Sequence, residues 1–210
     1  DKANLFRELV DHPDRPAFGV VNAGDPEAGY FRDAASVPVL AYGMNQPGPE
    51  RSPDGCHLFA DGISAAGDHS RFTLHYRPDG RILKGTAGSC VAVLPLPGTF
   101  NIENIMAALL AAAGVLGRSP LDLVPDLKSL RGIKGRMLPI NQGQDFSVIV
   151  DYAHTPGAYT KVLPVFRAGT SGRLIAVFGS AGERDREKRP MKAELAARYC
   201  DIQGLTDDDR

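Results

Sequence analysis

Polar and charged side chains gather at two places in the second half of the sequence, each directly after a run of apolar residues. The first is Asp151–Pro156 (DYAHTP), which follows FSVIV, and the second is Gly179–Pro190 (GSAGERDREKRP), which follows LIAVF. Continuous apolar runs of this kind are typical of parallel strands covered on both faces. Ligands bind beyond the carboxyl ends of such strands, so both segments are candidate parts of one binding site.

The second segment has the composition of an anion site. Its glycines let a ligand approach the backbone, and the helix predicted after it offers free N–H groups and a positive dipole end. It contains four cations that could hold phosphate or carboxylate: Arg184, Arg186, Lys188 and Arg189. Acidic residues alternate with them, so a solvated helix entry of mixed charge is an equally good interpretation. The P-loop spacing GxxxxGK[ST] does not occur in the chain.

Other polar residues admit both a binding and a structural interpretation. Asp151 and His154 could bind a ribose or orient a phosphate, but Asp151 could equally cap the next helix. Asn101 and Asn104 could contact an adenine edge, although capping is the ordinary role of asparagine at a helix start. Lys2 on its own is an ordinary surface lysine. The remaining histidines lack metal-ligand spacing and are predicted at the surface or in turns: His12, His57, His69 and His75.

The elements that must position these residues follow from hydrophobic spacing. The strongest helix is Asn101–Leu116, capped by Thr99 or Asn101 and ended by Gly117. A short helix begins at Ser119-Pro120. Before them the pattern predicts a helix over Lys2–Val10, a loop over 43–56, a turn at Pro78–Gly80, and strands over Ala17–Asn22, Val37–Tyr42, Arg71–Tyr76 and Val91–Leu94.

The pattern changes after the basic, glycine-broken segment Arg131–Arg136, which is the candidate hinge. Beyond it come a strand over Phe146–Val150, a helix, a strand over Leu174–Phe178 and a helix over Pro190–Tyr199. The first of these helices carries Tyr159, Val162, Leu163 and Phe166 on one face. Strands alternating with helices predict an α/β fold with a parallel sheet.

Composition excludes several classes of protein. The 210 residues are 43% hydrophobic and 23% charged with a formal net charge of -1, which argues against a nucleic-acid-binding surface over the whole chain. We expect no membrane span, because no apolar run approaches about 20 residues. Cys56, Cys90 and Cys200 form no CxxC pair and are expected to be reduced thiols in a cytoplasmic protein. The chain does not begin with Met, and we expect it to be a fragment of a longer protein.

The order of four motifs resembles the Mur ligases, and among them the MurE type. The motifs are GTFNIEN at Gly98–Asn104, GRM at Gly135–Met137, DYAHTP at Asp151–Pro156 and GERDREKRP at Gly182–Pro190. The resemblance implies that residues 1–134 are the later part of a central ATP-binding domain and that residues 135–210 begin a Rossmann-like C-terminal domain. The P-loop would lie upstream of residue 1, so the chain alone is expected to be inactive.

The resemblance implies an ATP-dependent amide-bond ligase that uses Mg²⁺. Such enzymes add an amino acid to a UDP-MurNAc-peptide through an acyl phosphate, in the cytoplasm, during the peptidoglycan synthesis that supports cell wall biogenesis, cell shape and cell division. Two halves are expected to hold the nucleotide between them, so that ATP compacts the full-length protein. No nucleic acid is expected as a partner, and the sequence does not predict the oligomeric state.

Residue roles follow from the same resemblance, motif by motif. Lys2 matches a lysine that binds Mg²⁺ once it is carbamylated, and Lys188 matches a phosphate-side lysine. Asn101 and Asn104 match adenine contacts, whereas Arg184 matches an arginine that holds the carboxylate of the incoming amino acid. The remaining nucleotide contacts by this resemblance are Arg136 on the phosphates, Asp151 on the ribose and His154 nearby.

Three departures from the family pattern leave alternatives open. Leu138 stands where an acidic residue usually follows GRM, and Gly24 replaces one of a pair of acidic residues near Asn22. The selectivity motif DNPR is replaced by TDDDR at Thr206–Arg210, so the chosen amino acid is not predicted. A non-catalytic nucleotide-binding relative therefore remains an alternative, as does a sister ligase of the folylpolyglutamate or cyanophycin type.

Overall fold

The computed structural model describes residues 2–44, 55–66, 69–130, 133–180 and 186–206. The chain divides into two compact units, Asp1–Leu130 and Arg131–Arg210, which we call unit 1 and unit 2. Of the residues expected to do chemistry, Arg184 lies outside the described part, as do the last four residues of the chain.

Unit 1 is built on one sheet of five strands in the order β1-β2-β3-β4-β5. The first three strands pair in parallel and the last three pair antiparallel. The strands are β1 (Gly19–Asn22), β2 (Val39–Met44), β3 (Leu58–Ala66), β4 (His69–Tyr76) and β5 (Gly88–Leu94). The four strands predicted from the sequence in this region are confirmed, with their ends shifted by up to three residues.

Strand β3 was not predicted, and its backbone explains why. Gly62 has φ +57°, and the register with β4 shifts between Asp61 and Ser64. Such a bulge breaks the alternation of apolar and polar residues that normally identifies a strand. A short helix, α2 (Ala28–Ala34), was also missed, and the predicted N-terminal helix is confirmed in the shorter form α1 (Ala3–Arg7).

Helix α3 (Thr99–Leu116) supplies the core of unit 1. Its buried side chains pack with those of the sheet in one cluster, and they are Ile102, Met106, Leu109, Leu110 and Ala113. Gly117 ends the helix with φ +62°, as predicted, because a left-handed residue at this position suits glycine. A 3-10 helix over Pro120–Ser129 follows, with Ser119 as its cap.

The predicted cap at the start of α3 is wrong. Gly98 occupies the N-cap position with φ +92°, and no side chain caps the helix there. The Asn101 amide instead donates from Nδ2 to the carbonyl of Pro97 at 2.7 Å. Asn101 therefore ties the first turn to the preceding loop rather than satisfying an N–H group of the helix.

Within the described residues, α3 is also the one helix whose length of 18 residues and mean hydropathy of 1.5 reach the range of a membrane span. Core helices of soluble proteins meet the same criteria, and Ile102, Met106 and Leu110 are fully buried against the sheet of unit 1. We therefore interpret α3 as a core helix.

The described residues of unit 2 form two small sheets and two helices. Strands β6 (Leu138–Ile140) and β7 (Val148–Val150) pair antiparallel, and β8 (Ile175–Phe178) and β9 (Ile202–Leu205) pair in parallel. Helices α4 (Pro156–Ala168) and α5 (Lys188–Tyr199) pack through Tyr159, Leu163 and Ala196. Both helices were predicted.

The expected parallel sheet covered on both faces is corrected in two respects. Strand β7 pairs with β6 and not with β8, since residues 141–147 return the chain directly onto β6. The apolar strand residues are largely exposed, with Val177 at 72% and Ile175 at 53% of their free surface. An apolar run fixes neither the direction of strand pairing nor how many neighbours a strand has, so the pattern alone misled.

His57 lies in a bend directly before β3, in keeping with the prediction of a surface or turn residue, but it is half-buried. Its Nδ1 accepts a hydrogen bond from the backbone N–H of Ala41 at 3.0 Å, and the backbone N–H of His57 donates to the Ala41 carbonyl at 2.8 Å. Burial lowers the pKa of His57 from its ordinary value. His12 and His69 are exposed, as expected, and His75 Nε2 lies 3.0 Å from Asp61 Oδ2.

We expect His57 to make the stability of the protein depend on pH. Because its folded pKa is lowered, the unfolded chain binds the proton first as pH falls. The contribution is therefore full above about pH 6.5, the ordinary value for histidine, and is lost progressively below it. His57→Asn, which keeps an acceptor near the Nδ1 position and does not titrate, should remove this component of the pH dependence of urea unfolding.

His57→Ala serves as the second arm of this test. It leaves the Ala41 N–H without its acceptor and should cost about 1–3 kcal/mol of unfolding free energy at neutral pH. An unchanged pH profile in His57→Asn would contradict the role given to the imidazole.

Candidate active site

Asp151 follows directly after β7, and its carboxylate binds two backbone N–H groups. Oδ2 accepts from Met137 N and Oδ1 accepts from Ala153 N, both at 2.8 Å. The cap of α4 is instead Thr155, whose side chain accepts from Ala158 N at 3.2 Å. The alternative role of Asp151 as a helix cap is therefore wrong. Asp151 fastens the GRM motif to the DYAHTP motif.

Arg136 lies over the ring of Tyr152. The distance from its Cζ to the ring centroid is 4.9 Å, which is the geometry of a cation–π contact. The ring of His154 lies on the same tyrosine with centroids 5.0 Å apart, and His154 Nδ1 is 3.1 Å from the Tyr152 carbonyl oxygen. Three residues predicted to bind nucleotide, Arg136, Asp151 and His154, are thus brought together in unit 2.

The backbone around Arg136 is held in an uncommon conformation. Met137 has φ +46°, the one positive φ found at a non-glycine residue in the described part of the chain, and Gly135 has φ +75°. Arg136 N donates to the Ile133 carbonyl at 2.9 Å, and the Met137 side chain is buried. A left-handed residue with a side chain persists only where its surroundings fix it, and such residues concentrate at functional sites.

The second polar segment is only partly described. Lys188 begins α5 and is half-buried, whereas Arg184 lies outside the described residues. Lys192, one turn further on, was not singled out from the sequence, and only 3% of its surface is exposed. Its ammonium donates to the Gly179 carbonyl at 2.7 Å and lies 6.0 Å from the centroid of the Tyr159 ring. Lys192 therefore fastens the second turn of α5 to the residue that follows β8.

In unit 1 the predicted residues start two different helices. Lys2 is exposed at the N-cap of α1. Asn101 and Asn104 lie in the first turns of α3, where Asn101 is half-buried and Asn104 is exposed. Positions three apart share one face of a helix, so both asparagines can meet one ligand.

A further polar cluster, at the carboxyl end of β1, was not predicted from the sequence. Asn22, at the end of β1, donates from Nδ2 to Glu103 Oε1 at 3.1 Å and accepts from Gly24 N at 2.9 Å. Burial, together with the negative charges of Glu103 and Asp25, raises the pKa of Tyr42 at the neighbouring strand. The bond between Asn22 and Glu103 fixes the first turn of α3 against the carboxyl end of β1.

The fit to a metal ion is limited in this part of the chain. Among the described residues, no group of three or more His, Cys, Asp or Glu side chains could hold a metal. Magnesium prefers oxygen ligands, which an unmodified Lys2 does not provide. A magnesium contact from Lys2 itself therefore depends on its modification.

Comparison with known proteins gives the family. Residues 135–210 match the family model described as Mur ligase, glutamate ligase domain. The UDP-N-acetylmuramyl-tripeptide synthetases of Roseiflexus sp. and Treponema denticola are 42% and 37% identical to this chain over 100% of its length. Residues 135–210 belong to the Mur ligase family, and the whole chain is similar to its tripeptide synthetases.

Solved structures show the same Mur ligase fold. A UDP-N-acetylmuramoyl-L-alanyl-D-glutamate–2,6-diaminopimelate ligase is 30% identical with a TM-score of 0.58, over 99% of this chain and 39% of that one. MurF from Acinetobacter baumannii is 24% identical with a TM-score of 0.73, over 97% of this chain and 41% of that one. The second likeness concerns the fold alone, and together they confirm the predicted α/β class.

The chain spans only part of the length of the curated relatives that it matches. It covers 39% of the length of both tripeptide synthetases. A diaminopimelate ligase of Bacillus licheniformis, 33% identical over 99% of this chain, is likewise covered to 39%. The activity of the whole protein is therefore a matter for proposal.

We expect Asp151→Asn to destabilise the C-terminal unit. The amide keeps one acceptor but turns an NH₂ group toward one of the two backbone N–H groups, which then loses its hydrogen bond to this side chain. The cost should be about 1–3 kcal/mol of unfolding free energy, measured by urea unfolding. Asp145→Asn, an exposed change between β6 and β7, is the matched control and should leave the midpoint unchanged. Equal midpoints for the two variants would contradict the role of the carboxylate.

Proposed function

We propose that the protein containing this chain is an ATP-dependent ligase that joins an amino acid to a UDP-MurNAc-peptide in peptidoglycan synthesis. The observation that carries the proposal is identity of up to 42% along the whole chain to proteins named UDP-N-acetylmuramyl-tripeptide synthetase. Mur ligases are ATP-dependent and generally use Mg²⁺. We further propose a cytoplasmic location, with residues 1–134 in the central ATP-binding domain and 135–210 at the start of the C-terminal domain.

The reaction activates a poor electrophile. A carboxylate oxygen of the UDP-MurNAc-peptide takes the γ-phosphoryl group of ATP, and ADP leaves. The amine of the incoming amino acid then attacks the acyl carbon, an amide forms, and phosphate leaves with loss of a proton from nitrogen. Charge on the transferring phosphoryl group is best stabilised by cations already in position. Bound Mg²⁺ would add to that charge neutralisation.

Residues of unit 2 supply such fixed charges. We assign Arg136 and Lys188 to the phosphates, because Arg136 is held over Tyr152 and Lys188 stands in the first turn of α5. Asp151 is assigned to the ribose. Each of its oxygens accepts one backbone hydrogen bond, which leaves each a second lone pair for a hydroxyl group. His154 is assigned as a neighbouring nucleotide contact.

Residues of unit 1 are assigned to the adenine and to Mg²⁺, and Arg184 is assigned to the incoming amino acid. Asn101 and Asn104 are assigned to the adenine edge, supported by their shared face at the start of α3. Lys2, if carbamylated, would provide oxygen ligands for Mg²⁺. Arg184 is assigned to the carboxylate of the incoming amino acid, by its place in the GERDREKRP motif.

A sister ligase is the second candidate. Folylpolyglutamate synthetase from Lactobacillus casei has a similar fold, with a TM-score of 0.56 over 90% of this chain and 42% of its own. At 17% identity that likeness concerns the fold alone, whereas the tripeptide synthetases reach 42%. The UDP-MurNAc-peptide is therefore the favoured substrate. A non-catalytic relative would bind ATP and turn nothing over.

The direct test is phosphate release by the full-length protein with ATP, Mg²⁺, a UDP-MurNAc-dipeptide and a panel of amino acids that includes meso-diaminopimelate and lysine. We expect release that requires both the UDP-MurNAc-dipeptide and one member of the panel, with the amide product detected by mass spectrometry. Release that instead follows a folate substrate would favour the sister ligase, and ATP binding without any release would favour the non-catalytic relative.

A pair of lysine variants ties this activity to the site. Lys188→Met should lower kcat/KM by about 100-fold or more, the usual loss when one donor to a transition-state anion is removed. Lys161→Met, on the exposed side of α4, is the matched control and should stay within about twofold of wild type. Equal activity in both variants would remove Lys188 from the proposed machinery.

A further inference from the structure

Tyr152 has no role in the function proposed above, yet its ring contacts the side chains of two residues assigned to the nucleotide, Arg136 and His154. The guanidinium of Arg136 lies over its ring at 4.9 Å, and the ring of His154 packs on it at 5.0 Å. The tyrosine is nevertheless 61% exposed. An aromatic ring left in solvent contributes little to a core, so its contact with the arginine needs a reason other than burial.

We propose that Tyr152 is a positioning residue for Arg136. Its ring holds the guanidinium where the phosphates of a bound nucleotide will meet it. This inference rests on the proposed function, because it takes ATP as the ligand. Tyr152 itself acts through the arginine and not by contact with the phosphates.

Preorganisation gives the contact its value. A free arginine side chain has about 2 kcal/mol of rotamer entropy to lose when it is immobilised. A side chain already held in place loses less of that entropy on binding, which strengthens affinity without a new contact to the ligand. The cation–π contact also leaves the guanidinium all five of its N–H donors for phosphate oxygens.

Hydrogen bonds hold the backbone next to Arg136 and the backbone next to Tyr152. Arg136 N is bound to the Ile133 carbonyl, and Met137 N is bound to the Asp151 carboxylate. On the other side, Ala153 N is bound to the second oxygen of Asp151, so the residues flanking Tyr152 and Arg136 are fastened to one carboxylate. The ring and the guanidinium are therefore presented to each other by backbone that has few alternatives.

The experiment compares Tyr152→Phe with Tyr152→Leu in the full-length protein. Phenylalanine keeps the π system and removes the hydroxyl, whereas leucine keeps apolar bulk and removes the π system. The dissociation constant of a non-hydrolysable ATP analogue is measured by calorimetry, and KM for ATP and kcat are measured in the phosphate-release assay. We expect Tyr152→Phe to stay within about twofold and Tyr152→Leu to weaken nucleotide binding about threefold to fivefold, with kcat nearly unchanged.

Tyr30→Leu is the matched control. Arg7 lies over the Tyr30 ring at 5.9 Å and also donates to the Tyr30 hydroxyl at 3.2 Å, and Tyr30 is 47% exposed, so this variant removes an arginine–tyrosine contact from unit 1. It should leave the dissociation constant unchanged. A thermal unfolding curve for each variant shows that it is folded, and Tyr152→Met replaces Tyr152→Leu if the latter is not.

A double-mutant cycle with Arg136→Met tests whether Tyr152 acts through the arginine. In that background Tyr152→Leu should have no further effect on nucleotide binding, because the group it positions is gone. Additive losses would overturn the inference, since Tyr152 would then contact the nucleotide independently. Wild-type affinity in Tyr152→Leu, or a loss in Tyr152→Phe equal to that in Tyr152→Leu, would overturn it as well.

The outcome for the wild-type protein separates this inference from the function on which it rests. If the wild type does not bind the ATP analogue, the proposed function fails and the role of Tyr152 fails with it. If the wild type binds and turns over ATP while Tyr152→Leu behaves like wild type, the inference alone fails.

Discussion

The carboxylate of Asp151 is the interaction on which the candidate site depends. It accepts hydrogen bonds from Met137 N and Ala153 N, at 2.8 Å each, and so joins two stretches of chain that are 14 residues apart. Neither stretch is part of a strand or helix at that point, so these hydrogen bonds lie outside the ladder between β6 and β7.

That single group also explains an unfavourable backbone conformation. Met137 is held at φ +46°, where a residue with a side chain is disfavoured. Its N–H is bound to Asp151 and its side chain is buried, so both halves of the residue oppose relaxation. As a consequence, the side chain of Arg136, one residue earlier, has a fixed starting direction and lies over the ring of Tyr152. The strained backbone at Met137 thus helps to hold the charged side chain of Arg136 in place although Arg136 is exposed.

Most helices and strands and the motifs could be predicted from the sequence, but the contacts between them could not. The long apolar period of α3 and the glycine at position 117 were sufficient to predict that helix and its end, because both signals are local. The ordered motifs singled out Arg136, Asp151 and His154, which the structure brings together in unit 2. Strand β3 was missed because a bulge interrupts its alternation.

Other features of the site depend on partners that are distant in the sequence. The choice of β6 as the partner of β7, the positive φ of Met137 and the buried ammonium of Lys192 are settled by packing and hydrogen bonding in three dimensions. Tyr152 illustrates the limit best. Its position inside DYAHTP was evident, but nothing in the sequence indicates that an arginine 16 residues earlier lies on its ring.

Backbone hydrogen exchange at Met137 and Ala153 tests the central claim most directly. If Asp151 binds both N–H groups, the two amides exchange slowly in the full-length protein and both accelerate in Asp151→Ala, because one carboxylate protects them. A Met137 amide that already exchanges at the rate of an unstructured peptide in the wild type would show that the two motifs are not fastened together, and the account of the site would be wrong.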